Sequence, residues 1–355
     1  MGEYPALKNT FDNNWLATWL SDKHAPSLKT PNWENLELKE RINALATHLN
    51  NWLPKQTTEK NIDLLDSLLS KHQPWKKGNM KYWPIFSWVE LFGAKTPNQS
   101  LAFLGKYTHM FTAEFAVRPI IEHHEAIVFD FFTKYINNSD EHVRRWISEG
   151  ARPRLPWGKQ VDCLKQNLIR NLELINQLID DESAYVRKSV ANHLNDVYRE
   201  DKKIAIKYAT RWWKHNTPNS KWIVKHGLRS AIKDGYQPAL ALLGFSAVTI
   251  SNAKLTIANP AIPFNGSVHF SFEGKLNKPS DVIIDYAIHF IGTNKKPRIK
   301  VFKLKTLLTA SEINLEKNHS FKPISTRKYY PGTHTIAILV NGQTVASKTF
   351  ELLAP

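Results

Sequence analysis

The spacing of apolar residues changes near residue 244, and this change restricts the chain to a helical region followed by a β region. Before it, apolar residues recur every three or four positions. The clearest case lies between Gly158 and Asp180, at Val161, Leu164, Leu168, Leu172, Ile175 and Ile179. This spacing is typical of helices with one buried face. From Ala247 onward, apolar and polar residues alternate in short segments separated by NG, GTN and PG turns, which is typical of antiparallel strands.

A chain of 355 residues is too long for one ordinary core, so the change of pattern predicts two domains, 1–244 and 245–355. The predicted helices are 11–21, 35–53, 59–71, 87–105, 111–137 in two pieces, 140–149, 158–180, one after Ser183, 201–215 and 219–234. Helices joined by short turns form either a bundle or an α-solenoid of paired helices. The second domain has the strand pattern of an immunoglobulin-like β-sandwich. It would lack a disulfide, because the chain has one cysteine.

The chain is strongly basic: 48 Lys and Arg residues against 32 Asp and Glu residues give a net charge of +16. A surplus of this size favours a polyanionic partner, nucleic acid first and an anionic membrane surface second. No apolar run is long enough to span a bilayer, and the N-terminal segment lacks the pattern of a signal peptide. A single cysteine fits a reducing compartment. We therefore expect a soluble, cytoplasmic protein.

The segment WISEGARPRLPW (146–157) concentrates charged, aromatic and proline residues. Gly150 is expected to end a helix as a C-cap glycine, and Pro153 and Pro156 are expected to hold the following residues extended. The resulting stiff loop carries Arg152, Arg154 and Trp157. Arginine forms bidentate contacts with phosphate, and a rigid aromatic ring stacks on a sugar or base. The alternative is a connector whose last tryptophan packs inward.

Two further helices carry basic and polar residues beside their apolar faces. The helix after Ser183 carries Lys188 and Asn192, and the helix after Ser220 carries Lys221, Trp222, Lys225, His226 and Arg229. A basic ridge with aromatic residues between the charges is expected of a helix lying along a nucleic acid backbone. The alternative is an ordinary solvated face. The arginines predicted to extend this concave basic surface are Arg144, Arg145, Arg152 and Arg154.

The β domain is the more basic part per residue, because residues 246–355 hold 14 Lys and Arg against 6 Asp and Glu. Lys295 and Lys296 begin a row of cations along one loop and strand, which continues through Arg298, Lys300, Lys303 and Lys305. The row either binds a phosphate backbone or protects a sheet edge from pairing.

Three carboxylates interrupt the basic segments: Glu114 in FTAEFAVRP, Glu149 in ISEGARP and Asp196 in NHLNDV. A carboxylate beside phosphate-binding arginines repels the ligand unless it has a task there. It can stabilise positive charge that develops on a sugar during bond breakage, or it can orient an attacking water. The alternative is that each carboxylate is an ordinary ion-pair partner of a nearby arginine.

The run Glu122-His123-His124-Glu125 suggests a metal site, but neighbouring helix positions point about 100° apart. The two histidines would therefore not converge on one ion, and no HExxH or CxxC pattern supports them. The sequence also lacks a glycine-rich phosphate loop, a Ser-His-Asp signature and a kinase or nucleotide-fold fingerprint. We expect neither a metal nor a cofactor.

Four motifs in residues 1–240 resemble those of the DNA alkylation repair glycosylases of the AlkC/AlkD type, and specifically the AlkC branch. They are EFAVRPII (114–121), WISEGARPRLPWG (146–158), VRKSVANHLNDV (186–197) and SKWIVKHGLRSAIKDG (220–235). The resemblance implies a HEAT-like α-solenoid whose concave face wraps duplex DNA, followed by an immunoglobulin-like domain. It also implies excision of cationic bases such as 3-methyladenine and 3-methylcytosine, without metal or cofactor and without the usual flipping of the base into a pocket.

Carried onto this chain, the resemblance implies that Glu114, Glu149 and Asp196 lie at the deoxyribose, with Glu149 first and Glu122 in reserve for catalysis. It implies that Trp157 presses on the sugar and backbone of the lesion. The residues expected to hold phosphates or sugars are Arg152, Arg154, Lys188, Asn192, Lys221, Trp222, Lys225, His226, Arg229, Lys295 and Lys296. An N3-methylated base is already cationic and leaves as a neutral molecule, so no general acid is needed to protonate it. The protein has to stabilise an oxocarbenium-like sugar and deliver water to C1′.

Two other classes of function fit the same sequence. One is a non-catalytic HEAT-repeat protein that binds damaged or bent DNA, and the other is a HEAT adaptor whose basic face meets an acidic protein. The three carboxylates favour the enzyme, and the aromatic and arginine-rich loop argues against the adaptor. We expect a monomer that binds duplex DNA containing alkylated bases, acts at the bacterial nucleoid and does not bind membranes.

Overall fold

The computed structural model of the chain describes residues 11–12, 14–20, 27–28, 32–71, 79–292, 297–324 and 328–355. Packing contacts divide it into two compact units, the first ending at Gly227 and the second running from Leu228 to Pro355. The change from helices to strands lies between Leu242 and Ile250, near the predicted boundary at 244/245. The division by packing comes earlier in the chain, because two short helices beyond Gly227 belong with the strands.

The first unit is built from helices joined by short connections. They are α1 Trp15–Leu20, α2 Leu38–Trp52, α3 Thr58–Lys71, α4 Trp83–Phe92, α5 Pro97–Tyr107, α6 Val117–Tyr135, α7 Glu141–Gly150, α8 Asp162–Gln166, α9 Leu168–Ile175, α10 Ala184–Glu200, α11 Lys202–His215 and α12 Pro218–Gly227. Short 3₁₀ turns cover Trp33–Asn35, Met80–Tyr82, Gly93–Lys95 and Asn176–Leu178. Within the described residues, no helix is both long and apolar enough to cross a membrane.

Helices α7, α10 and α12 pack against one another in that order. Each starts at a polar side chain that accepts a backbone N–H, as an N-cap does. Asp140 accepts from His142 at 2.9 Å, Ser183 from Val186 at 3.5 Å, and Thr217 from Ser220 at 3.1 Å. This succession of capped helices, each packed on the next, belongs to a HEAT-like α-solenoid, as the resemblance implied.

The predicted continuous helix over 158–180 is wrong. Helix α8 ends at Gln166, and Asn167 leaves the helical region with φ −106° and ψ 45°. The side-chain amide of Asn171 donates to the Leu164 carbonyl at 2.7 Å and replaces the backbone donor that a continuous helix would supply. The apolar spacing predicted the buried face correctly, but side-chain competition for a carbonyl cannot be deduced from spacing.

Three other helix predictions need smaller corrections. The predicted helix over 219–234 is two helices, because α12 ends at Gly227 and the next helix starts at Arg229, with Leu228 between them at φ −86° and ψ 9°. The predicted helix over 87–105 is α4 and α5, separated by the 3₁₀ turn Gly93–Lys95, and Pro97 starts α5 because proline is accepted in a first helical turn. The two pieces predicted within 111–137 form one helix, α6, which is interrupted at His124 by φ −140° and ψ 48°.

The second unit is an immunoglobulin-like β-sandwich preceded by two short helices. The helices are α13 Arg229–Lys233 and α14 Gln237–Leu242; the strands are β1 Ile250–Ile257, β2 Ala261–Ile262, β3 Ser267–Ile291, β4 Pro297–Ser320, β5 Gly332–Val340 and β6 Gln343–Leu352. Strand β3 pairs along its whole length with β4, with β1 on its first half and with β5 on its second half. Register shifts between Lys275 and Val282 interrupt the pairing in the middle of this long hairpin.

The core of the second unit is one apolar cluster that includes Phe270, Phe272, Tyr286, Phe321 and Phe350. The two short helices join it at the β5–β6 turn. A Cβ added at Gly342 would lie 2.3 Å from the Gly235 Cα, so both positions require glycine. The side chain of Gln237 also donates to the Asn341 carbonyl at 3.2 Å. These contacts explain why α13 and α14 pack with the strands.

Candidate functional site

Three carboxylates and two guanidinium groups alternate in one buried row, which we call the charge ladder. Glu114 receives hydrogen bonds from Arg145 at 2.8 and 3.3 Å. The Nη2 atom of Arg145 lies 3.8 Å from Oε1 of Glu149. Oε2 of Glu149 accepts from Nη1 of Arg152 at 2.8 Å, and Nε of Arg152 donates to Oδ2 of Asp196 at 2.7 Å. The ladder therefore brings together all three carboxylates predicted for the site.

Different elements supply the members of the ladder. Glu114 lies in the turn before α6, Arg145 and Glu149 are one turn apart on α7, and Asp196 lies near the end of α10. Arg152 follows the end of α7. Residues four apart on a helix lie on the same face, which explains why Arg145 and Glu149 are close. The outer carboxylates, Glu114 and Asp196, join this pair only because the turn before α6 and helix α10 pack against α7.

The carboxylates are almost completely removed from solvent, with Glu114, Glu149 and Asp196 exposed to 5%, 4% and 4%. Burial raises the pKa of Glu114, and the charge of Arg145 offsets part of this rise. Burial also raises the pKa of Asp196, against the hydrogen bond from Arg152. Desolvated carboxylates interact strongly with nearby positive charge because the local dielectric constant is low.

The guanidinium groups remain charged. Burial by itself lowers the pKa of Arg152, but its contacts with Asp196 and Glu149 raise it by more, so the net shift is upward. With every member ionised, the three carboxylates outnumber the two guanidinium groups of the ladder. Oε1 of Glu149 lies beyond hydrogen-bond distance from Arg145. Arg145 therefore contacts Glu149 as an ion pair, whereas Arg152 also donates a hydrogen bond to it.

The loop after α7 runs as consecutive turns rather than in the predicted extended conformation. In its last turn the Gly158 N–H donates to the Leu155 carbonyl at 3.2 Å, and Trp157 adopts a positive φ of 64°. The third position of such a turn usually holds glycine, so a tryptophan there stores roughly 1–3 kcal/mol of strain. The Trp157 side chain is 47% exposed, which excludes the alternative that it packs inward.

Helices α10 and α12 carry the predicted basic ridge of the first unit. Lys188 is exposed and Asn192 is half-buried on α10. On α12, the exposed Trp222 stacks on His226 with ring centroids 5.0 Å apart and planes 4° apart. The ammonium groups of the same helix lie over the ring of Trp213, at 5.5 Å for Lys221 and 5.9 Å for Lys225. Aromatic faces and cations therefore lie together on α12, and that they contact DNA stays a prediction.

The arginines that were predicted to extend this basic surface are placed differently. Arg144 is buried and pairs with Asp181 at 2.7 Å, and Arg145 and Arg152 belong to the charge ladder. Arg154 is half-exposed and pairs with Glu200 at 2.5 Å. Arg152 has both Nε and Nη1 engaged by carboxylates, so these two atoms are already used by acidic partners within the protein. These pairs are the alternative left open for the three carboxylates, since each of them contacts an arginine. Two of the contacts are local, from Arg145 and Arg152 to Glu149, and the others join residues that are distant in sequence.

The remaining candidates lie outside this arrangement. Arg229 is half-buried at the start of α13 in the second unit. Lys295 and Lys296 lie outside the described residues. Glu122, the reserve carboxylate, is exposed and bonds to Lys159. In the described part of the chain, no group of three or more His, Cys, Asp and Glu side chains is arranged to hold a metal ion.

Sequence reasoning missed two side chains of this site. It assigned Arg145 to the DNA-binding surface, although the i,i+4 spacing to Glu149 could have indicated the pairing. It did not single out Tyr185, whose ring lies over the Arg145 guanidinium at 5.0 Å and whose side chain is 43% exposed. Tyr185 lies in the first turn of α10, and no pattern in the sequence distinguishes it from an ordinary surface tyrosine.

The chain is similar to known proteins over nearly its whole length. The family described as "Uncharacterised protein YhaZ, C-terminal Ig-like domain" matches residues 251–354. The protein YhaZ of Bacillus subtilis (strain 168) is 35% identical over 335 residues, which cover 92% of this chain and 90% of YhaZ. The structure of Pseudomonas fluorescens alkylpurine DNA glycosylase AlkC bound to DNA containing an abasic site analog is 29% identical, with a TM-score of 0.86 over 99% of this chain and 100% of that chain. The chain therefore belongs to the family that contains YhaZ and AlkC, with HEAT-like helical repeats followed by an immunoglobulin-like domain.

Proposed function

We propose that this chain is a DNA glycosylase of alkylation repair, which excises cationic N3-methylated bases such as 3-methyladenine and 3-methylcytosine from duplex DNA. The observation that carries the proposal is the charge ladder, with three desolvated carboxylates from three parts of the fold. The similarity to AlkC over the whole chain supports the same class of reaction.

The ladder suits a reaction in which positive charge moves from a base to a sugar. When the C1′–N bond breaks, its electron pair neutralises the cationic base, and the deoxyribose becomes an oxocarbenium ion. A carboxylate at C1′ stabilises that ion by preorganised electrostatics, an effect that is large where water is excluded. A water molecule then adds to C1′, and its proton passes to a carboxylate or to solvent.

Within the ladder, Glu149 is the carboxylate that we assign to the sugar. It is the central member, and its Oε1 atom lies 3.8 Å from Arg145, beyond hydrogen-bond distance. Glu114 and Asp196 would complete the negative wall around the sugar. Arg145 and Arg152 would hold the carboxylates in place, so that no reorganisation is needed during bond breakage.

The exposed side chains near these elements would hold the DNA. The ridge on α10 and α12 would contact phosphates and sugars through Lys188, Asn192, Lys221, Trp222, Lys225 and His226. Trp157 would press on the sugar and backbone at the lesion, because its ring is exposed on a strained turn next to the ladder. Because the chemistry occurs at the sugar, the base does not need to enter a pocket.

The test is release of labelled bases from methylated duplex DNA by the full chain. We expect free 3-methyladenine and 3-methylcytosine, with slower release of 7-methylguanine measured in parallel. Binding to an undamaged duplex and to a duplex with an abasic site is measured by fluorescence anisotropy. Both measurements use the same salt concentration, because affinity for DNA falls steeply with salt. Tight binding without release of any base would contradict the proposal and support a non-catalytic HEAT-repeat protein that binds damaged DNA.

A further inference from the structure

Arg118, at the start of α6, is completely buried, with 0% of the residue exposed. Its guanidinium donates from Nη1 to the carbonyl oxygens of Gly150 at 3.3 Å and Arg152 at 2.9 Å, and from Nε to the carbonyl oxygen of Lys159. Gly150 is the last residue of α7, Arg152 lies near the start of the loop that follows it, and Lys159 lies at the end of that loop. One side chain therefore ties together both ends of the loop.

The loop in question, residues 151–159, carries two parts of the proposed site: Arg152, a member of the charge ladder, and Trp157. Its backbone also packs closely on the Arg118 side chain. A Cβ added at Gly158 would lie 3.1 Å from Cδ of Arg118 and 2.7 Å from Cδ2 of Leu155. The absence of a side chain at this position allows the last turn of the loop to lie against the arginine stem.

The same short segment also supplies the first carboxylate. Glu114 precedes Arg118 by four residues, in the turn that leads into α6. The segment 114–118 thus contributes twice to the site. It carries Glu114 of the charge ladder, and the side chain of Arg118 donates to the loop that carries Arg152. Packing that holds a catalytic constellation in this way limits its freedom to fractions of an ångström.

Arg118 makes these bonds as a charged group without a carboxylate partner. Among the described residues, no Asp or Glu lies within ion-pair distance of it, and its acceptors are backbone carbonyl oxygens. Burial and the nearby charge of Arg152 lower the pKa of Arg118 to about 10. Burying one cation beside another costs folding free energy. This cost indicates that the hydrogen bonds of the Arg118 guanidinium have a specific role.

We propose that Arg118 is a positioning residue that clamps the 151–159 loop and thereby sets Trp157 and Arg152 relative to the carboxylates. The role in catalysis rests on the proposed glycosylase function; the clamp itself does not. The three N–H donors of a lysine ammonium are on one nitrogen, so they cannot replace the guanidinium donors that reach three separate carbonyl groups. The clamp therefore requires the planar set of donors in the guanidinium and not only its positive charge.

The test compares Arg118→Lys, which keeps the charge, with Arg118→Met, which removes it. Amide hydrogen exchange of residues 151–159 is measured on the full chain without DNA. We expect at least tenfold faster exchange of the Arg152 and Gly158 amides in both variants. In the excision assay we expect kcat to fall at least tenfold, while KM and the affinity for abasic-site DNA stay within about threefold.

Arg144 provides a matched control. It is also a buried arginine on the neighbouring helix α7, and it donates to the carbonyl oxygens of Asn138 at 2.8 Å and Ser139 at 3.0 Å, but it does not contact the loop. We expect Arg144→Lys to lower the unfolding free energy and to leave exchange in 151–159 and kcat unchanged. If the Arg118 variants do not fold, Gly158→Ala takes their place, because it pushes the loop off an intact arginine.

The outcomes separate the clamp from the proposed function. Wild-type-like exchange of the loop in folded Arg118→Lys, or equally fast exchange in Arg144→Lys, would overturn the clamp. A loosened loop with an unchanged kcat would overturn its catalytic role. If the wild-type chain releases no base, the proposed function fails, and the exchange data still decide whether Arg118 holds the loop.

Discussion

Glu149 accepts a 2.8 Å hydrogen bond from Arg152, three residues later in the chain. Glu149 lies in the last turn of α7 and Arg152 lies beyond its end, so the bond joins a rigid helix to the loop that carries Trp157. The same guanidinium reaches Asp196 on α10 at 2.7 Å. One arginine thereby links two helices and a loop at the centre of the proposed site.

The first prediction concerns the central carboxylate. Glu149→Gln keeps the shape and removes the charge that would stabilise the sugar, so we expect base release to slow about 10²–10³-fold. Binding to abasic-site DNA should change by less than about threefold. The control is Glu173→Gln, because Glu173 is exposed and bonds to Arg211 at 2.8 Å, outside the ladder. Wild-type excision rates in Glu149→Gln would exclude this assignment.

A second prediction uses the strained turn. Trp157→Gly and Trp157→Ala both delete the ring, but only glycine adopts a φ near 64° without a steric cost. We expect the glycine variant to be more stable than the alanine variant by about 1 kcal/mol in urea unfolding, although alanine is usually the better residue in folded chains. Both variants should lose at least tenfold in base release. Equal stabilities would show that the turn relaxes.

A third prediction concerns the end of α7. A Cβ at Gly150 would lie 2.8 Å from Cγ1 of Val117, so Gly150→Ala should lower the unfolding free energy by roughly 1–3 kcal/mol. Val117→Ala removes the clashing methyl group. The double variant should therefore be more stable than the sum of the two single effects implies, as measured by a double-mutant cycle in urea. Strict additivity would mean that the clash is relieved elsewhere.

The fourth prediction concerns stability at acid pH. His193 lies on α10 and is completely buried, with Nδ1 3.2 Å from the Ser148 carbonyl oxygen. Burial lowers the pKa of His193 to about 3 from 6.5, and the charges of Arg152 and Arg118 act in the same direction. Above pH 6.5 the imidazole is neutral in both states and has no effect. Below it, the unfolded chain takes up a proton that the folded chain does not, so stability falls as pH drops.

The expected loss from His193 is about 2 kcal/mol between pH 7.5 and pH 5. The measurement compares urea unfolding of the wild type and of His193→Gln at both pH values, because other titrating groups are common to the two proteins and cancel in the difference. The glutamine variant should lose roughly 2 kcal/mol less than the wild type over this interval. The same loss in both proteins would mean that His193 is protonated in the folded state.

Local spacing predicted the elements well where one face of a helix packs on a core. The bounds predicted for 35–53, 59–71, 140–149 and 201–215 lie within a few residues of α2, α3, α7 and α11. Spacing did not predict the break at Asn167, because that break depends on a side-chain amide taking a carbonyl from the backbone. Nor did it predict the turns at 153–158, because two prolines are compatible with both turns and extended chain.

The arginines show the limit of sequence reasoning most clearly. A basic chain with four arginines between residues 144 and 154 suggests a cationic surface, and the structure instead pairs all four with carboxylates. The partners of Arg145 and Arg152 on other elements lie 31 and 44 residues away. Such pairs form only when helices pack, and charge counts contain no information about which helices do so.

By itself, the sequence determined the order of a helical and a β domain, because the two periodicities of apolar residues admit only these structures. It also determined the basic character and, through family motifs, the three carboxylates. Only the tertiary structure decided that these carboxylates share two guanidinium groups, that Trp157 is exposed at a positive φ, and that Arg118 donates to backbone carbonyl oxygens at both ends of the loop. The physical reason is that a buried charge needs specific ion-pair or hydrogen-bond partners, and packing between distant parts of the chain supplies most of these partners.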